Sequence, residues 1–352
     1  MGINKKINLE DKIKVSIIGG AIGDALGYPV EFVYSFHNIQ DKYGENGIVN
    51  YDLEYTWLND EIRKAQVSDD TQMTLYTLEA LMQHANSNVE IIQNVTNAYL
   101  IWMSFQTGQN VHVKDTYKVS RLPELNQRRA PGNTCLSALA TINRGKEVVN
   151  DSKGCGGIMR VAPVGIYGAL KGWTFEHTAD IAGKIAEITH KHPLSTYSSA
   201  AFAVLIQLCL RKENMNKETF TNKVLESIKV IKGLYGISPE MNAFENYVYK
   251  TLELTESPGP DWKVIGQEIG EGLVAEESFA IAIFCVTRHI DNFKDCIVSA
   301  VNHGGDSDST GAIAGNIIGV ILGYESIPEQ YKKDLQNLEF IEELSEEISK
   351  IQ

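Results

Sequence analysis

The segment H-G-G-D-S-D-S-T-G-A-I-A-G-N-I-I-G-V-I-L-G-Y, His303 to Tyr324, opens with aspartates at alternate positions and continues as an apolar helical pattern. Within it Gly311, Gly315, Gly319 and Gly323 recur every four residues, as Gly19, Gly23 and Gly27 do near the other end of the chain. Residues four apart share a helix face, so each stripe is a flat groove into which another backbone fits. Glycine inside a helix costs about 0.5–1 kcal/mol relative to alanine, and tight core packing is what offsets that cost. Both stripes border acidic residues.

Working outward, apolar residues keep three-to-four-residue spacing over 13–27, 71–86, 88–104, 134–144, 176–190, 197–211, 217–232, 276–290 and 293–301. Alternating strands are scarce, and Gly47–Leu53 is at best one short hairpin arm. The chain therefore reads as all-α. Two stretches lack a pattern: Gln106–Asn133, polar and basic, and Gly233–Gly272, which contains Ser-Pro-Gly-Pro at 257–260. Each reads as a long surface connection or an insertion. Helices of one character flank both, so the expectation is a single domain over 1–352, with a polar N-terminal extension at 1–12.

Composition narrows the function. A formal net charge of -13 disfavours nucleic acid, which wants a basic face. The apolar run 311–323 is too short for a membrane span, and no signal peptide is visible. Five widely spaced cysteines without a CxxC pair read as reduced thiols. The expected location is cytoplasmic, with no membrane partner.

Chemistry concentrates at helix starts. Val67-Ser68-Asp69-Asp70-Thr71 precedes one apolar pattern, Asp306-Ser307-Asp308-Ser309 precedes another, and Gly23-Asp24-Ala25-Leu26-Gly27 is followed by Glu31. One acidic residue at a helix start is an ordinary cap; two together, twice, exceed what capping needs. If the two starts meet in space, their carboxylates repel by several kcal/mol unless a cation intervenes. Oxygen donors of this kind suit Mg²⁺, Mn²⁺ or Ca²⁺ rather than zinc. An EF-hand fails, because the position of its bidentate glutamate is Ile317. A dinucleotide fingerprint fails at Gly19-Gly20-Ala21-Ile22-Gly23, which lacks the glycine spacing and a preceding strand.

Five motifs in register resemble the ADP-ribosylglycohydrolase family: G-D-A-L-G-x-x-x-E at 23–31, S-D-D-T at 68–71, a glycine-rich loop ending in M-R at 154–160, T-H-x-H-P at 189–193 and G-G-D-S-D-S at 304–309. The likeness spans roughly Val15 to Tyr324. It implies an all-α fold with a two-metal cleft holding Mg²⁺ or Mn²⁺. By that resemblance the metal ligands are Ser68, Asp69, Asp70, Asp306, Asp308 and Ser309. Ser68 stands where the family often has threonine, which keeps the oxygen chemistry. Glu31 would sit beside the metals, and Glu31, Asp69 or Asp70 would take a proton from the attacking water.

The resemblance also places ADP-ribose on the loop with Lys153, Gly154, Cys155, Gly156 and Met159, and puts His190 near the ligand. A glycine-rich turn exposes backbone N–H groups that cradle a diphosphate. Cys155 has no spacing that argues for a nucleophile. The Gly-Cys-Gly form at 154–156 and the 189–193 motif favour the arginine-linked branch over the serine-linked one. The implied partners are ADP-ribose and an ADP-ribosylated protein. Two alternatives stay open: a di-metal phosphoester hydrolase, which gives no reason for the 154–160 loop, and a silent crystallin-like relative, which would be expected to lose ligands.

Overall fold

The structure is a computed structural model that describes residues 8–55, 63–83, 86–212 and 214–351. In chain order its helices are α1 Leu9–Gly27, α2 Phe36–Tyr43, α3 Asp69–Met82, α4 Asn88–Thr107, α5 Asn133–Asn143, α6 Ala162–Leu170, α7 Phe175–Glu187 and α8 Pro193–Leu210. There follow α9 Lys217–Tyr235, α10 Pro239–Leu254, α11 Asp261–Val264, α12 Ala275–Arg288, α13 Phe293–Val301, α14 Ser307–Leu322, α15 Glu329–Asp334 and α16 Leu338–Ser349. Among the described residues no strand forms; only the isolated bridges Ala65–Leu335 and Gly154–Val274 are present.

The two glycine-striped helices pack on each other. A Cβ on Gly19 would lie 2.4 Å from the Gly315 carbonyl oxygen, one on Gly23 would lie 1.9 Å from that of Gly311, and one on Gly27 would lie 2.3 Å from that of Ser307. The pairing descends on one helix as it climbs on the other, so α1 and α14 are antiparallel. The C-terminal end of α1 therefore lies against the acidic N-terminal end of α14. Asn316 adds a polar tie between them, donating to the Ser16 carbonyl at 2.7 Å, while the Ser16 hydroxyl donates to the Asn316 carbonyl.

Around this pair α13 and α12 flank α14, α16 packs on α1, and α8 lies alongside with α6, α7 and α9. Helix α8 has the length and apolarity of a membrane span, but 89% of it is buried inside the protein, so the core uses its hydrophobicity. Ser68 caps α3 by accepting from the Asp70 N–H at 3.2 Å.

Several expectations need correction. The stretch 233–272 is largely helical: α10 buries Met241, Phe244 and Val248, a spacing hidden among Asn, Tyr and Glu. Gly47–Leu53 is no hairpin arm. Its Ile48 bonds through both backbone groups to the Asn302 side chain rather than to a partner strand. Gln106–Asn133 is a connection that runs over the surface through 108–116 and then turns inward, burying Tyr117, Val119, Leu125 and Arg129. Of the extension expected at 1–12, residues 1–7 lie outside the described residues and the remainder enters α1 after its Asn8 cap. Residues 84 and 85 of the helix expected over 71–86 also lie outside them.

Because backbone touches backbone, Gly23→Ala should lower unfolding stability by about 2–3 kcal/mol, as overpacked cores do. Gly233→Ala is the control: it lies exposed near the end of α9 with nothing within 4 Å, and should be neutral or stabilise by up to about 1 kcal/mol. Denaturant unfolding of both variants measures the contrast, and equal effects would contradict the close approach.

Candidate functional site

Three chain segments meet where α1 ends. Asp24, inside α1, accepts from the Ser68 N–H at 2.9 Å and from the Thr71 N–H and hydroxyl at 3.0 and 2.5 Å. One buried carboxylate thus fixes the first turn of α3 against α1. The Ser309 hydroxyl on α14 then donates to Asp70 Oδ2 on α3 at 2.7 Å, across 239 residues of chain. Beyond α1, the Phe32 N–H donates to the Gly305 carbonyl at 2.8 Å, which ties the segment carrying Glu31 to the loop carrying Asp306.

The result is a cleft whose lining includes Glu31, Asp69, Asp70, Asp306, Asp308 and Ser309. The four aspartates are buried. They are poorly explained as helix caps, since Ser68 caps α3, and Asp306, at the cap position of α14, makes no side-chain capping bond. Burial raises every one of these acids. Glu31 rises to about 9, from burial and then from Asp306, Asp69 and Asp24, and Asp69 to about 8, again mainly from burial. Asp70 and Asp308 are pushed well above the usual carboxylate range by burial and by their acidic neighbours, and burial raises Asp306. Among the described residues, no lysine or arginine lines the cleft. The group is a cluster of hard oxygen donors, and its donor chemistry fits divalent cations. Among the described residues, no three His, Cys, Asp or Glu side chains are gathered as a ready-made metal cage.

The glycine loop forms the facing wall. Gly154, Cys155, Gly156 and Met159 line the cleft with His190. A Cβ on Gly156 would lie 2.9 Å from the imidazole, so glycine here makes room for His190. Arg160 donates to the Thr189 hydroxyl at 2.6 Å, and that hydroxyl lies 2.8 Å from His190 Nδ1. Burial, with Arg160 adding to it, lowers His190 to about 3, so the imidazole is neutral. The Cys155 thiol donates to Asp306 Oδ2 at 2.8 Å, and burial raises it well above the usual thiol range. A protonated thiol is no nucleophile.

Two residues expected in the site stand elsewhere. Lys153 turns away to pair with Glu276 and lines a separate cavity. Ser68 is fully buried beneath the cleft, its hydroxyl engaged as the α3 cap. Conversely, Asp24 gains a positioning role that its place in the 23–31 motif alone did not reveal. Ala130, Gly132, Asn133 and Thr134 enter from the patternless stretch, and Phe32 and Leu273 complete the wall. Phe32 and Ala130 hold positive φ, 57° and 49°, a conformation costly for side-chain-bearing residues and found preferentially at functional sites. No sequence pattern signals such backbone angles.

Comparison with known proteins gives the family. A profile of the ADP-ribosylglycohydrolase family matches residues 5–352. The chain is 23% identical to ADP-ribosylhydrolase ARH1 of Dictyostelium discoideum, covering 97% of this chain and 94% of that one. It is also 23% identical to ADP-ribosylarginine hydrolase Tri1 of Serratia proteamaculans, covering 96% and 79%. A solved structure titled ADP-ribosylglycohydrolase-related protein complex superposes with TM-score 0.68 over 98% of this chain and 99% of that one at 20% identity, which shows the shared fold. The chain belongs to the ADP-ribosylglycohydrolase family, whose members hydrolyse ADP-ribosyl linkages.

Proposed function

We propose that the chain is a divalent-cation-dependent hydrolase that releases ADP-ribose from arginine side chains of a modified protein. The observation that carries this reading is the single cleft that joins five acidic side chains to the glycine loop. The arginine linkage draws on the Gly-Cys-Gly and T-H-x-H-P motifs and on the likeness to an ADP-ribosylarginine hydrolase across 96% of the chain.

Asp69, Asp70, Asp306, Asp308 and Ser309 would hold Mg²⁺ or Mn²⁺. Such cations, when bound, orient ribose hydroxyls and stabilise charge in the reacting sugar. The Gly156 N–H and a His190 ring protonated on Nε2 would bind the diphosphate, since the Gly154 N–H is engaged by the Ser152 hydroxyl and the Cys155 N–H by the Leu273 carbonyl. Glu31 is the general base. No hydrogen bond from the described residues ties down its carboxylate, whereas Asp70 accepts from Ser309 and Asp69 from the Gly132 N–H at 3.3 Å. Water attacks the anomeric carbon and gives its proton to Glu31. The carbon–nitrogen bond breaks, and the leaving guanidine takes up that proton. Cation charge nearby would lower Glu31 from about 9 into the range where it accepts a proton at neutral pH.

On matched peptides, ADP-ribose release should be faster from arginine than from serine and should cease in chelator. Asp308→Asn should lose at least about tenfold in activity, by analogy with residues that support metal sites. Mass spectrometry of the products measures this, and equal or reversed linkage preference would refute the arginine assignment.

A second expectation concerns pH. Glu31 and Asp69 have folded values near 9 and 8, against ordinary values of 4.5 and 3.8. Between those limits the folded state binds more protons than the unfolded one, so stability falls as pH rises. In chelator the melting temperature should therefore drop from pH 5.5 to pH 8, less steeply in Asp308→Asn, and Mg²⁺ should close the gap. A melting temperature flat or rising over that interval, with no difference in the variant, would contradict the electrostatics.

A further inference from the structure

Phe32 follows the proposed base directly, and nothing in the reaction described above uses it. It lines the cleft while 46% exposed, the one large exposed hydrophobic side chain among the described residues that does so. Its φ of 57° is unfavourable for a bulky side chain. Glycine would relieve that strain, yet an exposed ring stands there. Tyr34 is 61% exposed, and the two ring centroids lie 6.4 Å apart with planes inclined by 26°.

The segment is held from below. The Phe32 N–H donates to the Gly305 carbonyl, and Gly304, at φ 84°, comes so close that a Cβ on it would lie 2.8 Å from Ser35 Cα. Both ends of the aromatic segment are thus strapped to the loop that carries Asp306. The backbone that carries the rings is fixed beside the site, with Phe32 lining the cleft and Tyr34 stacked on it.

The cleft encloses about 210 Å³, below the roughly 300–1,000 Å³ of pockets that engulf a whole ligand. It is large enough for the reacting centre, while the rest of a conjugate must lie on the rim, where the rings are. Among the described residues the lining has no lysine or arginine that would repel a cation at the rim, and guanidinium is the planar cation that stacks on aromatic faces.

We propose that Phe32 and Tyr34 form the acceptor-side platform, on which the guanidinium of the ADP-ribosylated arginine stacks while its ribose sits among the carboxylates. The assignment rests on the arginine reading above and makes this pair a determinant of linkage specificity. Phe32→Ala and Tyr34→Ala should each raise KM for an arginine-linked ADP-ribosyl peptide, roughly three- to thirty-fold for loss of a cation–π contact. Calorimetric affinity for free ADP-ribose should stay within about twofold of wild type, because that ligand lacks the guanidinium. Phe32→Tyr should keep a low KM. Phe32→Leu, which preserves apolar bulk without the π face, should not.

An equal loss of ADP-ribose affinity would mean that the rings hold the nucleotide, and would overturn the platform. A low KM in Phe32→Leu would reduce the ring to apolar cover and overturn it too, as would unchanged KM in both alanine variants. Wild-type protein inactive on the arginine-linked peptide but active on a serine-linked one refutes the arginine reading, and the platform with it. An active wild type with unaffected variants refutes the platform alone. Thermal melting of each variant checks that the fold is kept.

Discussion

Contact between the backbones of α1 and α14 along their glycine stripes is the constraint on which the rest of the structure depends. At Gly23 and Gly311 a single added methyl would fall within 2.5 Å of the opposite carbonyl. That closeness sets the register of the antiparallel pair and sets Gly27 against Ser307 at the first turn of α14. The acidic start of α14 is therefore placed by packing some way down the helix, not by local contacts of the aspartates themselves. Asp24 extends the same device to α3 by binding Ser68 and Thr71, and Ser309 closes the triangle through Asp70.

The arrangement works against the stability of the free protein. Buried like charges raise one another's proton affinity, and among the described residues no lysine or arginine lines the cleft to relieve them. Elsewhere the same chain pairs or caps its charges with care: Arg288 meets Asp261 at 2.7 Å, and Glu79 accepts from the Val119 N–H. The raised aspartates gather in the cleft, as expected where function rather than folding selects the residues.

Much of this was legible in the chain. The glycine spacing announced close helix contact, and the doubled aspartates announced a shared charge problem, because both are periodic or local signals. That the two stripes face each other was not legible, since nothing local records which helix a groove receives. Helix α10 escaped notice because its Met241, Phe244 and Val248 are diluted by polar neighbours on the same turns. The wall from Ala130 to Thr134 was hidden for a different reason. Its residues are small or polar, and their position follows from Asp69 accepting the Gly132 N–H and from the Asp69 N–H meeting the Arg129 carbonyl. Lys153 shows the opposite failure: its motif position is in the loop, but Glu276 draws the side chain to the other face.

The central claim is that the acidic starts of α3 and α14 build one cation site. Mn²⁺ titration followed by electron paramagnetic resonance, on wild type, Asp70→Asn, Asp308→Asn and the double variant, tests it most directly. Each single change should weaken Mn²⁺ binding at least about tenfold, and the double variant should lose less than the product of the two, as residues sharing one site do. Wild-type protein that binds no Mn²⁺, or single variants that titrate like wild type, would contradict the account.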